Sequence, residues 1–156
     1  MGIASKLAKA GITNDELSVV TDFLSTGYLP LDHSISGRYH DGGIPQGRIT
    51  EVSGPPSAGK TALATNVMAD AQRKGGFACF HDHENTFETK QGKHLGLSDD
   101  PDKFMYAKPN TFEQSVDRAV QVGYAVREEL GPKAPIVFVF DSLASMVPNS
   151  DRKSVV

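Results

Sequence analysis

The sequence predicts an α/β fold with a mainly parallel sheet and flanking helices. Three observations support this prediction. From Arg48 onward, short strand candidates alternate with longer helix candidates. The strand candidate at 135–140 is continuously apolar, which is typical of a strand buried on both faces. A glycine-rich loop at 54–61 lies between a strand candidate and a helix candidate.

The first forty residues are predicted to form short helices. Two apolar faces with helical spacing indicate this, formed by Ile3, Leu7 and Ala10 and then by Leu17, Val20 and Leu24. Asn14 is placed to cap the second of these helices. Residues 40–47 contain three glycines and a proline, so we expect a turn-rich connection there.

The rest of the chain alternates between the two kinds of element. The expected strands cover residues 48–53, 77–80, 103–107 and 135–140. The expected helices cover 60–74 and 86–95, and a third begins at Thr111. This third helix is indicated by a capping box, Thr111-x-x-Gln114, and by an apolar face formed by Val116, Ala119, Val120 and Tyr124.

The loop at 54–61 reads GPPSAGKT and matches the phosphate-loop pattern G-x-x-x-x-G-K-[ST]. Glycines let several backbone N–H groups point inward around phosphate oxygens, and the following helix presents its positive end to the anion. Lys60 is expected to reach the β- and γ-phosphates, and the Thr61 hydroxyl is expected to bind Mg²⁺. The predicted cradle is Gly54, Pro55, Pro56, Ser57, Ala58, Gly59, Lys60 and Thr61.

Phosphoryl transfer also needs a second carboxylate near the metal ion. Asp141 directly follows the apolar strand candidate, which places it at the carboxyl end of a strand, where α/β sheets bind ligands. We therefore predict that Asp141 lies on the metal side of the site, as a Walker B aspartate does.

Two histidines and two acids stand together at 81–84, in the order His81, Asp82, His83 and Glu84. On an extended segment the two imidazoles would point to one side and the two carboxylates to the other. No cysteine or further histidine cluster completes a tetrahedral set, which argues against a structural zinc site. We instead expect one acid to orient or deprotonate an attacking water, and position alone leaves Asp82 and Glu84 equally eligible.

Composition sets wider bounds. The 156 residues fit one domain, and the single cysteine, Cys79, has no partner for an intramolecular disulfide. Sixteen basic and nineteen acidic residues alternate along the chain without a basic block, so charge gives no footprint for nucleic acid. The sequence shows no signal peptide and no apolar run long enough for a membrane span, so we expect a cytoplasmic protein without a membrane partner.

Three linked segments resemble the RecA-type recombinases, a family that includes phage-encoded members. They are GGIPQGRITEVSGPPSAGKTALA, FHDHENTFE and VFVFDSLASMVP, and the upstream STGYLPLDHSISG is similar to the segment before the phosphate loop in that family. The resemblance covers residues 25–148 and implies the amino-terminal part of an ATPase core with a RecA-like fold. It also implies ATP and Mg²⁺ as cofactors, a homo-oligomeric filament on single-stranded DNA, and a role in DNA recombination and repair.

The resemblance assigns roles to individual residues. Glu84 corresponds to the water-activating glutamate, which decides between it and Asp82, and Asp141 corresponds to the Walker B aspartate with Ser142 beside it. Glu88 falls where the family places an acid near the adenine. Gln91 lies near the position of an aromatic residue that stacks on the base, and that aromatic residue is absent here.

Family members carry DNA-binding loops and further strands beyond Walker B, and residues 149–156 do not resemble that continuation. We therefore expect a helical segment at 1–36, a partial ATPase core at 37–148 and an unrelated tail at 149–156, with little activity in this chain alone. In this fold class a later strand lies between the phosphate-loop strand and the Walker B strand, so we expect both to lack a shared neighbour.

Two alternatives remain open. One is another RecA-fold ATPase, such as a replicative-helicase, RadA-like or KaiC-like domain. The other is a truncated, non-catalytic protein that docks onto a filament.

Overall fold

The computed structural model describes residues 2–11 and 19–152. The six helices of this part are α1 (Ile3–Lys9), α2 (Leu29–Ser36), α3 (Lys60–Arg73), α4 (Thr89–His94), α5 (Phe112–Leu130) and α6 (Asn149–Arg152), with a 3₁₀ turn at Leu143–Ser145. The five strands are β1 (Phe23–Leu24), β2 (Ile44–Pro45), β3 (Phe77–Asp82), β4 (Phe104–Ala107) and β5 (Ile136–Asp141).

Three of the strands form a parallel sheet in the order β4-β3-β5, which confirms the α/β prediction. Strand β3 lies in the centre, and all six of its residues are buried. It pairs with β5 from Phe77↔Ile136 to Asp82↔Asp141, so the two strands end side by side. Three of the predicted strands, those at 77–80, 103–107 and 135–140, are therefore confirmed, with β3 two residues longer than expected.

The predicted strand at 48–53 is wrong. Within the described ranges no sheet includes this segment, and the Ile49 and Val52 side chains are exposed. The backbone N–H and C=O groups of a strand need a neighbouring strand as their hydrogen-bond partner. An alternating apolar pattern does not provide such a neighbour. Among the described strands, β5 pairs with β3 alone. The expectation that the segment before the glycine-rich loop and β5 lack a shared neighbour stays a prediction.

The predicted helices of the sheet layer are confirmed, with one shift. Helix α4 begins at Thr89 instead of residue 86, because the Asp82 carboxylate accepts hydrogen bonds from Thr86 N–H and Phe87 N–H and holds these residues in a turn. Helix α5 begins as expected, with the Thr111 hydroxyl accepting a hydrogen bond from Gln114 N–H at 3.3 Å.

The amino-terminal predictions have mixed outcomes. Helix α1 is confirmed, whereas most of the second predicted helix, including Asn14 and Leu17, lies outside the described residues. Leu24 is in strand β1 and not in a helix, because β1 pairs antiparallel with β2 and places Leu24 against Val67 and Ala71 of α3. The two-residue strand β2 lies within the expected turn-rich connection at 40–47.

The core lies on both faces of the three-stranded sheet. On one face, Met68 and Ala69 of α3 pack against Phe80 of β3. On the other face, Val126 of α5 packs against Phe77 and Cys79. Within the part of the chain that the structure describes, no helix is both long and apolar enough to cross a membrane.

His81 is an unusual member of this core. Its side chain is 0% exposed, its ring meets that of Phe140 edge-on at 4.8 Å, and neither ring nitrogen has a hydrogen-bond partner. Burial, together with the nearby charges of Arg118 and His83, lowers the pKa of His81 to about 4. The folded protein therefore holds this imidazole neutral.

The buried imidazole predicts a stability that depends on pH. Because the pKa of His81 is about 4 in the folded chain and 6.5 in the unfolded chain, the unfolded chain binds the extra proton between these values. The free energy of unfolding should fall by up to about 3 kcal/mol as the pH drops from 7 to 4. Urea titrations of His81→Leu should show a smaller loss over this range. The matched exposed variant His94→Leu should behave like the parent, and an unchanged pH dependence in His81→Leu would contradict this role.

Candidate active site

The candidate site is built where β3 and β5 end. The two strands run parallel and in register, so Asp82 and Asp141 lie side by side, and His83 N–H donates to Asp141 C=O at 2.8 Å. Glu84, two residues after β3, and Ser142, directly after β5, therefore both lie at the carboxyl end of the sheet. The sheet thus brings two distant segments of the chain together at one end.

The glycine-rich loop meets this edge through Thr61. The Thr61 hydroxyl donates a hydrogen bond of 2.8 Å to the Asp141 carboxylate. Thr61 also lies in the first turn of α3, whose helix begins directly after Gly59 with a φ of 90°. That backbone conformation is strained for residues with a side chain, which explains the glycine at this position. Two oxygen atoms of the kind that bind hard metal ions, from Thr61 and Asp141, therefore lie next to each other at the start of a helix.

Lys60 turns back over the loop. Its ammonium group donates to the carbonyls of Gly54 and Pro55, each at 3.0 Å. Most of the loop is exposed, and Ser57 has a φ of 62°. The structure therefore brings together the predicted cradle residues, and it places the Lys60 charge beside the backbone of the same loop.

Glu84 lies on the other side of the strand ends, with its carboxylate held by two hydroxyls. Ser142 Oγ donates to Glu84 Oε1 at 2.5 Å, and Ser145 Oγ donates to the same oxygen at 3.2 Å. The side chain of Glu84 is exposed. One carboxylate oxygen is thus fixed by the segment that follows β5, and Glu84 Oε2 is left to contact other groups.

Asp82 has a different surrounding. It is 1% exposed, and its carboxylate accepts hydrogen bonds from the backbone N–H groups of Glu84, Thr86 and Phe87 and from the Tyr106 hydroxyl at 2.7 Å. Burial by itself raises the pKa of Asp82, but the hydrogen bonds from Phe87, Tyr106 and Thr86 outweigh it and keep the pKa below its usual value. Asp82 therefore organises the turn at 83–87 and is not open to water.

The two histidines of this motif have different surroundings. His83 Nε2 is 2.7 Å from Ser115 Oγ of α5, and burial lowers the pKa of His83. His81 is enclosed in the core. Among the residues that the structure describes, no group of three or more potential metal-binding side chains is found.

A cleft of about 220 Å³ adjoins the start of α3. It brings Glu88 and Gln91 close to Thr61, although these residues are far apart in the sequence. Phe87 contributes the one ring among its walls, and that ring is stacked on Phe80 at 4.2 Å. The cleft is lined by Thr61, Ala62, Thr65, Thr86, Phe87, Glu88, Gln91, Gly92 and Leu95.

Sequence reasoning missed two features of this site. Ser145 contacts Glu84 although it stands 61 positions away, and Tyr106 contacts Asp82 from the neighbouring strand. The available signal for Tyr106 was its place near the end of a strand candidate, where side chains converge on the same edge of a sheet. No sequence pattern pointed to Ser145.

Comparison with known proteins identifies the family of the chain. The profile of the family described as RecA N-terminal domain matches residues 4–154. RecA of Acidothermus cellulolyticus is 36% identical over 137 residues, which cover 88% of this chain and 36% of the relative. RecA of Clostridium acetobutylicum is 35% identical over 151 residues, covering 96% of this chain and 38% of the relative.

RecA of Rhodospirillum rubrum is 36% identical over 151 residues, again with 96% of this chain and 36% of the relative covered. The chain thus spans about a third of the length of the curated relatives it matches. Both the family profile and the relatives cover most of the chain. This chain belongs to the RecA family and corresponds to its N-terminal domain.

Proposed function

We propose that this chain binds ATP together with Mg²⁺ and forms the nucleotide-binding part of a RecA-type ATPase for DNA recombination and repair. The contact between Thr61 Oγ1 and the Asp141 carboxylate is the observation that carries the proposal. It joins the glycine-rich loop to the carboxyl end of a parallel strand. The two oxygens also form a donor set that suits Mg²⁺, which proteins bind through one or two oxygen ligands together with substrate phosphates.

In this proposal the loop and the start of α3 hold the triphosphate. The backbone N–H groups at 54–61 and the positive end of the helix face the phosphate oxygens, and Lys60 exchanges its contacts with Gly54 and Pro55 for the β- and γ-phosphates. Bound Mg²⁺ would neutralise the charge that develops on the phosphates. The cleft beside Thr61, with Glu88 and Gln91 on its walls, would hold the base.

Glu84 is the proposed base that orients the attacking water. Its carboxylate is exposed and is fixed through one oxygen, Oε1, by Ser142 and Ser145. Asp82 is the poorer candidate because four donors already occupy its buried carboxylate. Contact geometry thus supports the same choice that the family resemblance implies.

Lys60→Ala should weaken binding of Mg²⁺–ATP. Because the ammonium makes charge-assisted contacts with phosphate, worth about 1.5–3 kcal/mol, the dissociation constant should rise about tenfold to a hundredfold. Fluorescence titration with a labelled ATP measures this change. Lys133→Ala serves as the control, because Lys133 is exposed in the connection before β5, at the strand end opposite the site. Equal affinities for both variants would contradict a phosphate role for Lys60.

Substitutions of Asp82 and Glu84 should affect different properties of the protein. Glu84→Gln should leave both ATP affinity and the free energy of unfolding close to the parent values, since the side chain is exposed. Asp82→Asn should lower the free energy of unfolding by about 1–3 kcal/mol, because the amide nitrogen of asparagine cannot accept the hydrogen bonds that the carboxylate accepts. Urea denaturation and ATP titration of both variants test this, and equal destabilisation would overturn the division of roles.

We further propose that single-stranded DNA binding and strand exchange depend on parts of RecA proteins that lie outside the third of their length that this chain matches. ATP turnover by the purified chain should then stay the same when single-stranded DNA is added. Phosphate release with and without DNA measures this, and a full-length RecA provides the positive control. Turnover stimulated by DNA in this chain would contradict the proposal, whereas ATP binding tested through Lys60 would stand independently.

A further inference from the structure

His83 stands directly before Glu84, the proposed base, and is fixed at two points. Its backbone N–H donates to the Asp141 carbonyl at 2.8 Å, and its ring atom Nε2 lies 2.7 Å from Ser115 Oγ of α5. Ser115 is 0% exposed, so this side-chain contact is shielded from water. The imidazole therefore ties the residue before Glu84 to a helix on one face of the sheet.

The direction of the hydrogen bond between His83 and Ser115 follows from the surroundings of the hydroxyl. Ser115 Oγ also lies 3.3 Å from the Thr111 carbonyl, which can only accept, so the hydroxyl donates its single proton there. The lone pairs of Oγ then accept a hydrogen bond from His83 Nε2–H. This network places a proton on Nε2 and fixes the orientation of the ring.

The turn that carries Glu84 is held from both faces of the sheet. Successive side chains of a strand point to opposite faces, so Asp82 and His83 leave the end of β3 in opposite directions. Asp82 accepts a hydrogen bond from Tyr106 of β4, and His83 donates one to Ser115 of α5. Glu84, whose own side chain is exposed, therefore follows two anchored residues.

The first turn of α5 also supports the segment after β5, whose serine hydroxyls hold the Glu84 carboxylate. The Val147 carbonyl in that segment accepts a hydrogen bond of 3.1 Å from Phe112 N–H. The Glu113 carboxylate accepts a hydrogen bond of 3.1 Å from Asn149 N–H. The same helical turn therefore supports Glu84 both through its backbone and through its side chain.

We propose that His83 is a positioning residue for ATP hydrolysis, because its hydrogen bond to Ser115 fixes the backbone at Glu84 and so aims the Glu84 carboxylate at the attacking water. This role rests on the proposed function of Glu84 as the base. A base must lie within hydrogen-bond reach of the water, so a small displacement of its backbone slows turnover. The His83 side chain contacts α5 and is not among the residues that line the cleft beside Thr61, so ATP affinity should not depend on it.

Measuring ATP turnover separately from ATP affinity tests this role. Ser115→Ala removes the acceptor while keeping a good helix former, and His83→Ala removes the donor. Each should lower kcat about threefold to tenfold, the factor that one ordinary hydrogen bond represents, and leave the ATP dissociation constant unchanged. His83→Gln should restore the parental kcat, because its side-chain amide donates from near the position of Nε2. An affinity that falls together with kcat, or no rescue by glutamine, would overturn the role.

Ser36→Ala is the matched control. Ser36 of α2, like Ser115 of α5, is a helical serine whose hydroxyl donates to the carbonyl four residues earlier, here that of Asp32 at 2.6 Å. Its hydroxyl also accepts from the N–H groups of Arg38 and Gly43, so its surroundings lie away from the strand ends. Ser36→Ala should keep the parental kcat. An equal loss of kcat in both serine variants would indicate a general effect on stability and contradict a positioning role.

NMR chemical shifts provide a second readout, which needs no nucleotide. Ser115→Ala should shift the backbone amide and side-chain carboxyl resonances of Glu84, whereas Ser36→Ala should leave both at their parental positions. Unchanged Glu84 resonances in Ser115→Ala would refute the positioning role. Glu84→Gln distinguishes this failure from that of the proposed base, since it should lower kcat about a hundredfold or more. If Glu84→Gln hydrolyses ATP like the parent, the base assignment fails, and the NMR shifts still decide whether His83 fixes the turn.

Discussion

The in-register pairing of β3 with β5 is the constraint on which the rest of the structure depends. It makes Asp82 and Asp141 neighbours and brings both strands to an end at the same edge. Thr61 then joins the glycine-rich loop to that edge, and Ser142 and Ser145 reach Glu84 across it. A slip of one residue would turn His81, Asp82 and their neighbours to the opposite faces of the sheet, with a carboxylate entering the α5 core. The register of the β3–β5 pair therefore also determines the arrangement of the candidate site.

Much of the fold followed from local pattern. An apolar run such as that of β5 indicates a buried strand, and capping residues such as those of α5 indicate the start of a helix, in almost any context. Both elements lie where the sequence predicted them. The segment at 48–53 has the same local appearance as a strand but no neighbour, because pairing is a property of two segments and cannot be read from one. The two-residue strands β1 and β2 were missed for the same reason: their pairing unites residues 20 and 22 positions apart.

The site shows a similar division. The loop pattern and the position of Asp141 were visible because phosphate and metal chemistry require particular residue types at particular spacings. Spacing alone left Asp82 and Glu84 equivalent, and they separate only when burial and donors are known. The contact between Ser145 and Glu84 joins two turns that have no regular periodicity, so no sequence pattern predicts it.

The contact between Tyr106 and Asp82 has a consequence for how the outer part of the sheet communicates with its end. Asp82 fixes the turn that carries Glu84, and Tyr106 anchors Asp82 from β4, a strand with a single neighbour. The position of the exposed Glu84 carboxylate thus depends on the Tyr106 hydroxyl. Tyr106 lies on β4, which has no sheet pairing with the glycine-rich loop. A change in the position of β4 would therefore move the turn that carries Glu84 without any new contact at Glu84, so an outer strand of the sheet affects the geometry at the carboxyl ends of the strands.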